Sequence, residues 1–176
     1  PGSGQAVLVD PGPDDPAHLA QVEAALAARD ARCVAVLVTH HHGDHAEAAQ
    51  PWGERFDAQV AAARADVAGA RGRVLEPGER LTLAGTALDV VPTPGHTGDH
   101  LAFRVESGAV LVGDHVLGRG TSVVTHPEGD VVAYAYARSR LGRLLRATRE
   151  DAAAARAVGT SVYRQRLIAF TISGLL

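Results

Sequence analysis

Three short stretches of the chain concentrate residues able to hold a metal or move a proton. The first, Thr39-His40-His41-His42-Gly43-Asp44-His45, gathers imidazoles around one carboxylate. In an extended chain, residues i and i+2 point the same way. His40 and His42 therefore face one side together, and His41 faces away as a solvent-side or supporting residue. Two imidazoles so placed can hold one metal through nitrogen. Gly43 permits a sharp bend, after which Asp44 and His45 open a helix and can serve a second metal beside the first. The second stretch, Pro94-Gly95-His96-Thr97-Gly98, sets one histidine on a rigid loop. The third, Gly113-Asp114, sets one carboxylate where it can bridge two metals. Imidazole with carboxylate is a donor set that suits zinc, and also iron or manganese.

These residues need elements to position them. Gln5–Asp10 reads as a short buried strand ending in a Pro-Gly turn. Asp15-Pro16 offers a helix start, and Leu19, Val22, Ala25 and Leu26 recur at helical spacing, so an amphipathic helix spans 16–29. Cys33–Val38 is an unbroken apolar run, as in a strand covered on both faces. It leads straight into the first histidine stretch. A helical pattern follows from Ala46 to about Phe56, then a short strand and loop over 57–76. Leu81–Leu83 and Thr86–Val91 form a hairpin around Ala84-Gly85. His100–Val105 and Ala109–Val112 are paired strands, and 129–149 reads as a helix. All three candidate stretches thus follow apolar strands, the place where sites in sheet-based folds gather. The order is mixed α/β.

Within this frame a family becomes recognisable. THHHGDH resembles the THxHxDH signature of the metallo-beta-lactamase fold superfamily. PTPGHTGDH resembles its second histidine motif, and VLVGDHVLGRG its bridging-aspartate motif. The resemblance runs from about Gln5 to Leu145. It implies an α/β fold, the four-layer αβ/βα sandwich, with the metal site along one edge. It also implies roles: His40, His42 and His96 hold a first metal, Asp44 and His45 a second, and Asp114 bridges both. Two zinc ions would share a hydroxide that attacks an ester, thioester, amide or phosphodiester centre. Asp44, near that water, would orient it as well as ligate, which makes it the expected catalytic residue. The Asp44-His45 pair with Asp114 looks unlike the zinc beta-lactamases proper, so antibiotic hydrolysis is not the expected activity. It looks more like glyoxalase II and the nuclease-related branches. GDHVLGRGTS is most similar to a lactamase-beta-two-like group, which includes an endoribonuclease for single-stranded RNA. The substrate stays unassigned at this point, with an RNA phosphodiester or a thioester as the candidates. Two other classes stand beside this one: a mononuclear iron persulfide dioxygenase, and a non-catalytic module with a decayed site.

The sequence also departs from the pattern. The family's further histidine for the second metal has no counterpart after Asp114, where only His115 and His126 remain. The first strand or two of the fold are missing before Gln5. The expectation is therefore a domain over 1–145, followed by a C-terminal helical segment over 146–176 that joins after a missing piece near 145–150; the rival is a truncated protein with an impaired second site. His100 and His115 are candidates to line or support the site, while His18 and His126 read as surface residues. The Cys33 thiol reads as a small buried hydrophobe, and the arginines Arg138, Arg140, Arg143, Arg146 and Arg149 as a solvated helix face.

The 176 residues bury a single domain's core. The formal net charge of -3 argues against a surface built to hold nucleic acid by charge alone. One cysteine excludes an internal disulfide and any multi-cysteine zinc site. No apolar run is long enough to span a membrane, and no leader peptide is visible, so a cytoplasmic protein without a membrane partner is expected. The 17 basic residues are all arginine, which points to a GC-rich, bacterial source.

Overall fold

The computed structural model describes residues 4–115, 123–124 and 127–130, and the single positions 135, 139 and 161. The helix expected over 129–149, the C-terminal segment 146–176, the join near 145–150, His126 and the arginine row lie outside this set, apart from isolated positions.

The first half alternates strands and helices: β1 (Gln5–Val9), α1 (Pro16–Ala27), β2 (Arg32–Leu37), α2 (Gly43–Ala46), α3 (Ala49–Phe56), β3 (Gln59–Ala62), α4 (Ala65–Ala68) and β4 (Arg73–Val74). The four strands form one parallel sheet in the order β1-β2-β3-β4. Helix α1 starts where a cap exists: the Asp15 carboxylate accepts from the backbone N–H of Ala17 at 2.7 Å, and Pro16 occupies the first turn. Its stripe of Leu19, Val22 and Leu26 is half-buried, whereas Ala25, expected on that face, is exposed.

Two expectations change here. The single helix from Ala46 divides into α2 and α3. Pro51 has no N–H to continue the ladder, and the Ala48 N–H turns away to the Gly12 carbonyl at 3.0 Å. The stretch 57–76 contains α4 and β4 as well as the strand.

The second half is antiparallel: β5 (Arg80–Leu83), β6 (Thr86–Pro92), β7 (Leu101–Val105) and β8 (Val110–Leu111), in that order across the sheet. Residues Ala84 and Gly85 close the β5–β6 hairpin with φ of +50° and +74°, the left-handed pair that a two-residue hairpin needs. On the outer face Asp89 lies opposite both Arg80 and Arg104, with contacts of 2.9 and 3.0 Å.

Alternation along β2 decides the layers. Leu37 enters the cluster between the sheets, with Ala61, Leu75, Leu81, Leu88, Val90, Leu101 and Phe103. Its neighbours Val36 and Val38 enter the opposite cluster, under the helices, with Cys33, Ala49 and Val60. The described layers therefore run helices, parallel sheet, antiparallel sheet. Each fully buried Leu, Val or Phe contributes about 1.5–3 kcal/mol before conformational entropy is counted. No helix among the described residues is long and apolar enough to cross a membrane.

Candidate metal centre

Both sheets deliver their chemistry to the same edge. Strand β2 runs into Thr39 and His40, both buried. Strand β6 leads through Pro92 to the loop of His96, and β8 leads to a single 3-10 turn, Gly113–His115, that carries Asp114. A backbone hydrogen bond from Leu101 N–H to the Thr39 carbonyl, 2.8 Å, ties the sheets together there. The turn requires glycine at 113. Its φ is +47°, and a Cβ would stand 2.6 Å from the Thr39 hydroxyl and 2.9 Å from His100 Nε2.

The three imidazoles expected to share a metal converge. His40 Nε2 is 3.1 Å from His42 Nδ1. His96 Nε2 lies 3.2 Å from the former and 3.0 Å from the latter. Nitrogens bound to one tetrahedral zinc stand about 3.3 Å apart. Two of the outward nitrogens have acceptors that fix the tautomer. Thr39 donates its hydroxyl to Asp10 Oδ2 at 2.8 Å, so the same oxygen accepts from His40 Nδ1 at 3.0 Å. His96 Nδ1 donates to the Val123 carbonyl. Lone pairs, not hydrogens, thus face the centre of the triangle. Such an arrangement repels itself unless a cation fills it. The triangle fits a metal.

A second set adjoins the first. His40, His45 and Asp114 bring ligand atoms within 4.8 Å of one another. Asp114 turns Oδ1 toward His45 Nε2, 3.2 Å, and Oδ2 toward His96 Nε2, 3.7 Å. One carboxylate therefore faces both sets. Asp44 stands apart at the rim: it is exposed, and its Oδ2 is 3.7 Å from His45 Nε2.

Electrostatics follow position. Burial pushes the His40 pKa down to about 2, and repulsion from His45, His100, His42 and His96 adds to it. A neutral imidazole is the form that binds a metal. For His45, burial works against the charge, but the hydrogen bond and charge of Asp10, with Asp114 and Asp44, outweigh it and hold the pKa above its ordinary value. Burial, followed by His115 and His96, lowers His100 to about 4.

Other candidates find different places. Gly43 does not supply the bend through its own freedom: its φ is ordinary, and a Cβ there would meet nothing within 4 Å. The turn comes from His42, extended at φ -61°, ψ 143° and acting as the N-cap of α2. His41 does face away, with Nδ1 2.8 Å from Asp99 Oδ1. His100 is buried, bonds Thr93 Oγ1 at 2.8 Å and stacks on His40, with ring centroids 4.9 Å apart. His115 is buried behind it rather than at the mouth. His18 is exposed beside Trp52. Cys33 is buried, and burial raises its pKa.

Sequence reasoning missed Asp10. Its carboxylate accepts from Thr39 N–H at 2.7 Å, from the Thr39 hydroxyl, and from His45 Nδ1 at 3.0 Å. The signal that could have found it was its place at the end of β1, the same sheet edge as the other sites.

A family model described as metallo-beta-lactamase superfamily matches residues 2–153. The chain belongs to that superfamily. A second model, described as branched-chain amino acid transport system / permease component, matches residues 131–176. Among curated relatives, this superfamily member is 36% identical over 108 residues to a hydroxyacylglutathione hydrolase of Acidiphilium cryptum, covering 60% of this chain and 44% of that one. It is 31% identical over 125 residues to an atrochrysone carboxyl ACP thioesterase of Aspergillus chevalieri, covering 70% and 41%. The chain thus spans less than half the length of these relatives. Among solved structures, ETHE1 from Myxococcus xanthus matches at 25% identity and a TM-score of 0.67, covering 80% of this chain and 61% of that one. TTHA1623 in a di-iron-bound form matches at 29% and 0.62, covering 80% and 75%. The αβ/βα sandwich expected from the motifs is the fold this superfamily member shares with them.

Proposed function

We propose that this chain carries the metal centre of a dinuclear zinc hydrolase that cleaves thioesters. The observation that carries the reading is the Asp114 carboxylate, with one oxygen toward His45 and the other toward His96. His40, His42 and His96 would hold one ion, His45 and Asp44 the other, and Asp114 both. Bound divalent metals supply an activated water at neutral pH and a Lewis acid for the acyl oxygen. The chain's own residues set the geometry. Asp10 and Thr39 fix two imidazoles, and the exposed Asp44 stands at the mouth, where it can orient a reacting group. The names of the relatives support a thioester over RNA, because a hydroxyacylglutathione hydrolase and an ACP thioesterase both cleave an acyl–sulfur bond. A cytoplasmic setting is part of this proposal.

Elemental analysis of the freshly purified protein tests this first, followed by assays on S-acylglutathiones, acyl-carrier thioesters and RNA. About two zinc per chain with thioester cleavage is expected, and His96→Ala loses the first zinc and the cleavage. One iron, with oxygen consumed in the presence of a persulfide, would replace the hydrolase with the mononuclear iron dioxygenase. No metal would leave a non-catalytic module.

A further inference from the structure

The proposed centre leaves one imidazole nitrogen unexplained. His40 hands its outward Nδ1–H to Thr39, His96 hands its own to Val123, and His45 hands its Nδ1–H to Asp10. His42 is the odd member. It points Nδ1 inward, 3.1 Å and 3.0 Å from the other two imidazole nitrogens, so Nε2 must carry the hydrogen if Nδ1 is to present a lone pair. The described atom that can accept that hydrogen is Glu128 Oε2, at 3.4 Å.

The Glu128 side chain is half exposed, but its backbone is held in place. It sits on a turn clamped to the His96 loop from both sides. Gly98 N–H donates to the Glu128 carbonyl at 3.0 Å, and Asp130 N–H donates to the Gly95 carbonyl at 2.9 Å. Between them Gly129 packs so closely that a Cβ would stand 2.6 Å from the His96 carbonyl oxygen. His41, outside the two sets above, places Nε2 3.5 Å from Glu128 Oε2 and Nδ1 2.8 Å from Asp99 Oδ1, and with His42 and Glu128 it forms a third group of potential ligand atoms at the surface. Carboxylates and imidazoles alternate along this chain: Asp99, His41, Glu128, His42.

We infer that Glu128 is the positioning residue of His42. It accepts the Nε2–H and thereby aims the Nδ1 lone pair at the first metal. This rests on the metal reading above and extends it. Histidine ligands are commonly held by a carboxylate on the distal nitrogen, and losing that partner costs about 10–100-fold in metal affinity or activity.

The test uses the zinc-loaded and metal-free full chain. Zinc affinity is read by chelator competition, and the His42 tautomer by 15N imidazole shifts. Glu128→Ala is expected to weaken the tighter zinc about 10-fold or more, and to lose the protected Nε2–H signal of His42. Glu128→Gln keeps an acceptor oxygen and recovers most of both. Glu106→Ala, which removes an exposed carboxylate in the turn after β7, changes neither and controls for net charge. A Glu128→Ala protein that binds zinc like the parent and keeps the Nε2–H signal overturns the inference while leaving the metal centre standing. A parent that binds no zinc overturns the metal reading itself. If Glu128→Ala fails to fold, the Glu128→Gln tautomer signal decides alone: its loss would count against the acceptor role.

Discussion

The Asp10 carboxylate is shared by three donors: the Thr39 N–H, the Thr39 hydroxyl and the His45 ring. It sits at a φ of +51°, a conformation that Asp and Asn tolerate better than other side chains. Asp10→Asn therefore keeps the backbone and removes only the charge and one acceptor. Hydrogen bonds to a charged group contribute about 1.5–3 kcal/mol, so the metal-free variant should lose about 2 kcal/mol in urea unfolding. A loss under about 0.5 kcal/mol would mean the carboxylate does not hold the pair. The histidines and Asp114 were legible because their spacing after apolar strands itself carries the chemistry. Asp10, Asp99 and Glu128 were not. Asp10-Pro11-Gly12 reads as an ordinary turn, and the partners lie 29 to 86 residues away in sequence. No local pattern encodes such a pairing. Gly43 shows the opposite error, a glycine credited with a bend that its neighbour's extended backbone makes.

Elements of several turns or strongly apolar strands emerged from the sequence near their observed bounds, since burial imposes their period. Single-turn pieces did not. Helix α4 and strand β4 span four and two residues, too short for any period to register, and the division between α2 and α3 depends on where Ala48 finds its acceptor. The β5–β6 hairpin was expected, but its strain was not. Ala84 adopts φ +50° with a Cβ, which costs about 1–2 kcal/mol relative to an unstrained residue. Asn is preferred at that position of such a turn. Ala84→Asn should stabilise the fold by about 0.5–1 kcal/mol, and leave zinc stoichiometry unchanged because the turn lies at the other end of β6 from His96. Chemical denaturation checks it. A destabilised variant would show that contacts of the Ala84 methyl outweigh the backbone strain.

At the scale of the molecule, the centre joins two sheets that otherwise meet through side chains and the one backbone hydrogen bond from Leu101 to Thr39. His40, His42 and His45 come from the parallel sheet's edge, and His96 and Asp114 from the antiparallel sheet's edge. An ion held by both sets would close this edge, so metal binding would be coupled to folding. Ligand present at 1,000 times its dissociation constant stabilises the folded state by about 4 kcal/mol. For a chain of this size that corresponds to roughly 10 °C in Tm. The unfolded chain will keep part of that affinity, because Thr39–His45 places several imidazoles within a few residues of one another whether folded or not. The zinc-induced shift should therefore fall short of the full value. His96→Ala should remove more of it than His42→Ala does. Losing His96 breaks the imidazole link from the antiparallel sheet to the first set, whereas losing His42 leaves His40 on the same strand end. Thermal unfolding with excess chelator against excess zinc reads this directly. Equal Tm values in the two conditions would mean that the apolar contacts of Leu37, Phe103 and their neighbours hold the edge closed without an ion.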